Sequence, residues 1–204
     1  MRQLPLQISQ AAAPSLDNFV AGDNAEALAR VRDLAAGRLQ EAIIYLWGET
    51  GSGRTHLLRA ASAANPSLFV ADDVETLDAG AQQQLFSAIN AARDARAGVL
   101  AAGSAPPAAL ALREDLRTRL AWGLVYHLKP LADGEKLRHL QGEARRRGLA
   151  LSDELAAYLL ARVPRDMATL SALLEALDRE ALTRKRPLTL PLVREVLESS
   201  NGRG

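Results

Sequence analysis

Two short stretches hold the residues whose types and spacing could do chemistry. The first is Gly48-Glu49-Thr50-Gly51-Ser52-Gly53-Arg54-Thr55, followed by His56. Its glycines let consecutive backbone N–H groups turn inward, and a helix opening at residue 54 adds the partial positive charge of its N-terminus. The spacing G-x-x-x-x-G-[K/R]-[S/T], after a strand and before a helix, is that of a loop cradling a di- or triphosphate. Thr55 would offer its hydroxyl to Mg2+, and the side chain at 54 would reach the β- and γ-phosphates. Position 54 is arginine in place of the usual lysine. Its planar fork keeps the charge without the compact ammonium, which predicts phosphate binding with poor positioning of a γ-phosphate for hydrolysis. Taken alone, the loop also reads as a glycine-rich turn.

The second stretch is Leu68-Phe69-Val70-Ala71-Asp72-Asp73, an apolar run ending in two acids. Asp72 would hold Mg2+ through water, and Asp73 stands where a carboxylate could orient an attacking water. Taken alone, an acid pair serves equally well as a turn or a helix cap. The two stretches together predict binding of ADP or ATP with Mg2+.

Regular elements must bring these stretches together. Residues 42–47 form an apolar run bounded by glycine, a buried-strand pattern. A helix over 54–64 should stop at Asn65-Pro66, because proline disfavours helix in the residue before it. Strands are predicted at 68–71, 98–102 and 124–128, and helices at 23–39 and 82–95, with Pro106-Pro107 forcing a turn. Strands alternating with helices argue for an α/β fold with a parallel sheet flanked by helices. After Pro130 the pattern is helical throughout: 134–147 stopped by Gly148, 153–162 capped by Ser152, 166–184, and 190–198 capped by Thr189. Three segments result: a flexible arm over 1–15, a nucleotide-binding subdomain over 16–131, and a helical lid over 132–200.

Composition narrows the function classes. The 204 residues carry a formal net charge of +1, so neither duplex DNA nor a membrane surface is addressed by a global field. Cysteine is absent, which excludes disulfides, thiolate catalysis and cysteine zinc sites. The three histidines, His56, His127 and His139, are scattered. Neither a signal-peptide pattern nor an apolar run of ~18 residues is found, so a cytoplasmic protein is expected.

Other segments carry a resemblance. Leu16-Asp17-Asn18-Phe19-Val20-Ala21-Gly22-Asp23-Asn24 is similar to the segment of DnaA-type AAA+ modules that lies against the adenine. Asp115-Leu116-Arg117-Thr118-Arg119-Leu120-Ala121-Trp122-Gly123 resembles their arginine-finger box, and Arg165-Asp166-Met167 their sensor-two signature. Over residues 16–198 the chain most resembles the Hda family, DnaA-homologous regulators that promote hydrolysis of ATP on the replication initiator. That family also carries arginine in the phosphate loop and an N-terminal sliding-clamp motif, matched here by Gln3-Leu4-Pro5-Leu6.

The resemblance implies a P-loop AAA+ module followed by a small all-α lid. It places Phe19 and Val20 at the adenine, and Arg165 reaching from the lid to the phosphates. It makes Arg119 a finger delivered in trans, a device worth roughly 10³–10⁵ in rate. The arm would lay two leucines into an apolar pocket of the DNA polymerase III sliding clamp while the glutamine bonds at its rim. From the residues alone, Arg119 is a solvated arginine in a loop of mixed charge, Arg165 caps a helix end with Asp166, and residues 3–6 are a tail. Ser104 departs from the family, which usually carries an acid there; a serine can donate to a phosphate-bound water but cannot act as an acid. Only Asn65-Pro66-Ser67 stands where DnaA-like modules place a further strand and helix, so a narrower sheet is expected.

The implied function is a regulator with weak or no ATPase of its own, whose partners are DnaA and the clamp, the finger facing DnaA or a second copy of the chain. No membrane association is expected. Direct specific DNA binding is not expected either, since nothing here corresponds to the basic helix-turn-helix that follows the lid in DnaA. The alternative is a DNA-binding initiator or helicase loader. A small-molecule phosphotransferase would need an acceptor pocket and a rigid catalytic lysine, and neither is apparent in the residues.

Overall fold

The computed structural model describes residues 13–95, 98–163, 166–184 and 187–201. It forms two compact units, one over Pro14–Leu131 and one from Ala132 onward. In the first, β1 (Ile43–Trp47), β2 (Phe69–Ala71), β3 (Val99–Gly103) and β4 (Leu124–His127) make a parallel sheet in the order β2-β3-β1-β4. A parallel strand covered on both faces needs apolar residues at every position, and alternation sends them to opposite sides. Ile44 and Leu46 pack with Leu100 and Ala102 against α1 (Ala25–Ala35) and α2 (Arg54–Ala64), through Leu28, Val31, Leu57 and Ala61. Ile43 and Tyr45 pack with Val99 and Ala101 against α3 (Ala79–Ala95) and α4 (Glu114–Leu120), through Leu85, Ile89, Leu116 and Leu120. Each such large side chain stabilises the unit by about 1.5–3 kcal/mol on burial.

The register aligns the strand ends. Trp47 pairs with Gly103 on one side and His127 on the other, and Ala71 pairs with Ala101. The residues after β1, β2 and β3 therefore emerge at the carboxyl end of the sheet, where open α/β sheets bind ligands.

Several local features differ from the sequence expectation. Helix α3 starts at Ala79, not at residue 82, because Asp78 Oδ1 accepts from the Ala81 N–H at 2.8 Å and caps an earlier first turn. The first helix ends at Ala35, not at residue 39; Gly37 takes φ +67° just beyond it. Residues 114–120 form a helix, α4, where the residues alone read as a loop. Glu114 and Asp115 sit in its first turn and Arg117 and Arg119 in its last, matching the helix dipole at both ends. Ser15, read as part of the arm, exchanges bonds with Asn18 (2.8 and 3.1 Å) and brings its carbonyl 3.0 Å from His56 Nε2. Between α2 and β2 there is only a turn, closed by Leu68 N–H donating to Asn65 O at 3.1 Å, so β2 is an edge strand paired to β3.

The second unit holds α5 (Asp133–Arg146), α6 (Asp153–Leu160), α7 (Met167–Arg184) and α8 (Leu190–Asn201) around a core that includes Leu140, Leu159, Leu174, Leu177 and Val193. Ser152 caps α6 by accepting from the Leu155 N–H at 3.3 Å. Among the described residues no helix is long and apolar enough to cross a membrane.

Candidate nucleotide site and arginine finger

The phosphate loop begins where β1 ends, and its first glycine is required by a close approach. A Cβ on Gly48 would stand 2.3 Å from the Leu128 carbonyl oxygen, so only glycine lets the loop leave the sheet beside β4. Just before it, Trp47 stacks on His127 with ring centroids 3.8 Å apart and planes 6° from parallel. At the other end Gly53 takes φ +95°, a left-handed conformation, and a Cβ there would meet the Phe19 ring at 2.6 Å. Phe19 therefore lies on the loop, 5.4 Å from the His56 ring, with Val20 half-buried next in the chain. Glu49, Thr50 and Gly51 are exposed on the outer side of the turn, while Ser52 is buried and donates its N–H to Glu49 O at 3.1 Å.

The acid pair meets this loop. Thr55 Oγ1 donates to Asp72 Oδ2 at 2.6 Å, bringing together the hydroxyl and carboxylate read from the sequence as a magnesium pair. Asp73 has φ +42°, a left-handed backbone that costs a non-glycine residue about 1–2 kcal/mol. Three bonds fix it there. Its N–H donates to Asp72 Oδ1 at 3.0 Å, and its carbonyl accepts from the Thr76 N–H and the Thr76 hydroxyl, both at 2.8 Å. The Asp73 carboxylate reaches Arg54, Oδ1 lying 3.2 Å from Nη1. The contact is close as an ion pair yet off line as a hydrogen bond, since Nη1 is buried and has no hydrogen-bond acceptor.

Glu75, Tyr45 and Ser104 extend the cluster beyond what the motifs indicate. Glu75 Oε1 accepts from the Ser104 N–H at 2.9 Å. Burial alone would raise the Glu75 carboxyl, but bonds from the Ser104 hydroxyl and from backbone N–H groups, with the Arg54 charge, hold it below its usual range. Tyr45 is buried and donates to Ala105 O at 2.8 Å; burial first, then the Glu75 charge, push its phenol up. The signal for Glu75 was a third acid two residues after the pair. Tyr45 looked like an ordinary core residue.

This arrangement fits a nucleotide. Among the described residues four buried side-chain polar atoms have no hydrogen-bond partner, and three of them, Ser52 Oγ, Arg54 Nη1 and Glu75 Oε2, belong to this cluster. Such an atom costs about 1–3 kcal/mol unless something completes it. The two donors suit phosphate oxygens. No group of three His, Asp or Glu among the described residues could hold a metal unaided. Thr55 and Asp72 would take Mg2+ with phosphate oxygens and water supplying the rest of its octahedron.

Arg119 sits in the last turn of α4, enclosed by its own chain. Its guanidinium carbon is 4.4 Å from the Phe86 ring and 4.6 Å from the Trp122 ring, and Nη1 donates to Asn90 Oδ1. Trp122 is 50% exposed, so the sandwich stands at the surface. Phe86 and Asn90, four apart on one face of α3, were not singled out from sequence. Gln3, Leu4, Pro5, Leu6 and Arg165 lie outside the described residues.

Comparison with known proteins follows the division of the fold. The second unit matches the family model for the Hda lid domain over residues 133–197. An uncharacterized protein of Haemophilus influenzae is 33% identical over 230 aligned positions, covering 96% of this chain and 98% of the relative. The aligned length exceeds the 204 residues here, so the relative contains residues that this chain lacks. Domain III of DnaA from Thermotoga maritima superposes with a TM-score of 0.70 at 18% identity, covering 92% of this chain and 97% of that one. DnaA from Aquifex aeolicus, solved with AMPPCP, gives 0.65 at 18% identity over 86% and 67%. The RuvB branch-migration motor of Thermotoga maritima gives 0.62 at 17% over 91% and 72%. These likenesses show the fold to be that of an AAA+ module with a helical lid. The lid match, together with a relative one-third identical along almost its whole length, shows that the chain belongs to the Hda family.

Proposed function

We propose that this protein is a DnaA-related regulator of replication that binds ADP or ATP, with ADP favoured, and promotes hydrolysis of ATP held by DnaA. The observation that carries the nucleotide half is the 2.6 Å bond from Thr55 to Asp72, which joins the phosphate loop to the acid pair at the carboxyl end of the sheet. Phe19, packed on Gly53, supports an adenine resting beside the loop. Arg165 would add a charge from the lid, and Gln3-Leu4-Pro5-Leu6 would tether the protein to the sliding clamp.

The regulatory half rests on Arg119. Its Asn90 bond uses one of five guanidinium N–H groups, which leaves donors for a phosphoryl group on a partner. A guanidinium presented to the transferred phosphate neutralises charge that develops there, and an already ordered one loses little entropy in doing so. The test uses ATP-loaded DnaA with the clamp on DNA. Wild-type protein should accelerate hydrolysis; Arg119→Ala should still bind ADP and the clamp but lose the acceleration by about 10²-fold or more. Undiminished acceleration by Arg119→Ala would overturn this function. In the same preparation, Gln3→Ala with Leu4→Ala should abolish retention on purified clamp.

A further inference from the structure

We propose that a cleft between α6 and α8 in the second unit is a docking site for an acidic segment of a partner protein, bound by the guanidiniums of Arg162 and Arg194 beside the Tyr158 ring. The cleft has a volume of about 460 Å³ and is lined by Tyr158, Arg162, Arg194, Leu197 and Glu198. Tyr158 lies in α6, and Arg162 follows four residues later, just past the end of that helix. Arg194, Leu197 and Glu198 share one face of α8, being three and four apart. The Arg162 guanidinium carbon is 3.7 Å from the centroid of the Tyr158 ring, and that of Arg194 is 5.8 Å from it. Two helices thus bring two cations to a single aromatic ring.

Three other arginines of this unit are matched with acids. Arg146 pairs with Glu143, Arg147 lies 3.6 Å from Glu175 and 3.9 Å from Asp178, and Arg184 engages Glu180 and Glu195. Among the described residues the side chains of Arg162 and Arg194 form no ion pair or hydrogen bond, and both are exposed. Their order comes from the ring instead. A guanidinium held over an aromatic face keeps its in-plane N–H donors turned outward. Stacking therefore orients the fork without using it, and less entropy is lost when an anion arrives.

The chemistry of the cleft selects its occupant. A guanidinium fork matches a carboxylate with two parallel hydrogen bonds. Two forks beside one ring suit two carboxylates on a short stretch of chain, and Leu197 offers an apolar contact to a residue between them. A nucleic-acid strand fits less well. Glu198 lines the same cleft and would repel a strand charged at every nucleotide, whereas a peptide can place a neutral or basic residue there. Arg162 already covers one face of Tyr158, the kind of surface on which a base would stack. With a net charge of +1, the chain also lacks a field that would gather DNA.

Fluorescence anisotropy on the full chain tests this with a fluorescein-labelled peptide, Glu-Asp-Leu-Glu-Asp-Lys, and a control in which Gln and Asn replace the acids. The acidic peptide should bind saturably at low salt, and the control at least about tenfold more weakly. Arg162→Gln and Arg194→Gln should each weaken the acidic peptide by about fivefold or more without a change in melting temperature. Arg138→Gln, which removes an exposed arginine of α5 outside the cleft, should leave the affinity within about twofold. Tyr158→Leu keeps both charges but not the ring and should weaken binding, whereas Tyr158→Phe should retain it. Were Tyr158→Leu unable to fold, the arginine variants would decide the matter alone. An equal loss in Arg138→Gln would overturn the proposal, since general charge attraction would then suffice. It would be overturned equally by an oligothymidylate of the same charge binding as tightly as the peptide, or by no saturable binding of the peptide at all.

Discussion

Two arginines, Arg54 and Arg119, occupy opposite situations within one unit. Arg54 is almost buried, and its Nη1 has no hydrogen-bond acceptor. Arg119 is stacked between Phe86 and Trp122 and bonded to Asn90. The first environment is incomplete without a ligand; the second is completed by the chain itself. The difference teaches how the two regions would divide the work under the proposed function: the loop keeps polar atoms unmatched at a cost to the free protein, while Arg119 is held in place by its own chain and would meet a partner already ordered.

The largest effect that could break this contrast is ligand stabilisation. ADP with Mg2+ at a hundred times its Kd should stabilise the protein by about 2.7 kcal/mol, a rise on the order of 10 °C in the melting temperature of a unit this size. Thr55→Ala with Asp72→Ala should erase the rise and Arg119→Ala should leave it whole; if the finger variant lost it too, the regions would not be separable. Next, Gly53→Ala should cost about 2 kcal/mol in denaturant unfolding, from the left-handed backbone and the Phe19 contact. Phe19→Ala in the same chain should return part of that cost, and full additivity would show that ring and loop do not touch. A smaller effect compares the arginines directly. Arg119→Met should lose about 1 kcal/mol of stability through its stacking. Arg54→Met in nucleotide-free protein should be neutral or gain about as much, because it removes an unmatched buried donor. Equal losses at both positions would abolish the distinction. The smallest effect is the acid response of Glu75. Its folded pKa is lowered, so its contribution is present above the ordinary 4.5 and is lost as pH falls through the lower folded value. Glu75→Gln should flatten that loss by under about 1 kcal/mol, measured by melting between pH 6 and 3.

Much of this was legible in the sequence, for physical reasons. The run at 42–47 had to be a strand covered on both faces, and the loop after it had to place three glycines beside a helix start. Asn65-Pro66 could only end α2. What escaped was set by contacts across the fold. Helix α4 is too short and too charged to show a periodic apolar stripe, yet Leu116 and Leu120 anchor it beneath the sheet. Asn90 and Phe86 gain meaning only when α3 lies beside α4. The pairing of Arg54 with Asp73 depends on a left-handed aspartate, a backbone state that no residue pattern announces.

The chain has two tryptophans, and they fall one in each region. Trp47 stacks on His127 directly before the phosphate loop, and Trp122 lies against Arg119. Replacing either by phenylalanine would leave a single indole whose emission reports on one region alone. Nucleotide arrival and partner docking could then be timed separately by stopped-flow fluorescence, without attaching a dye.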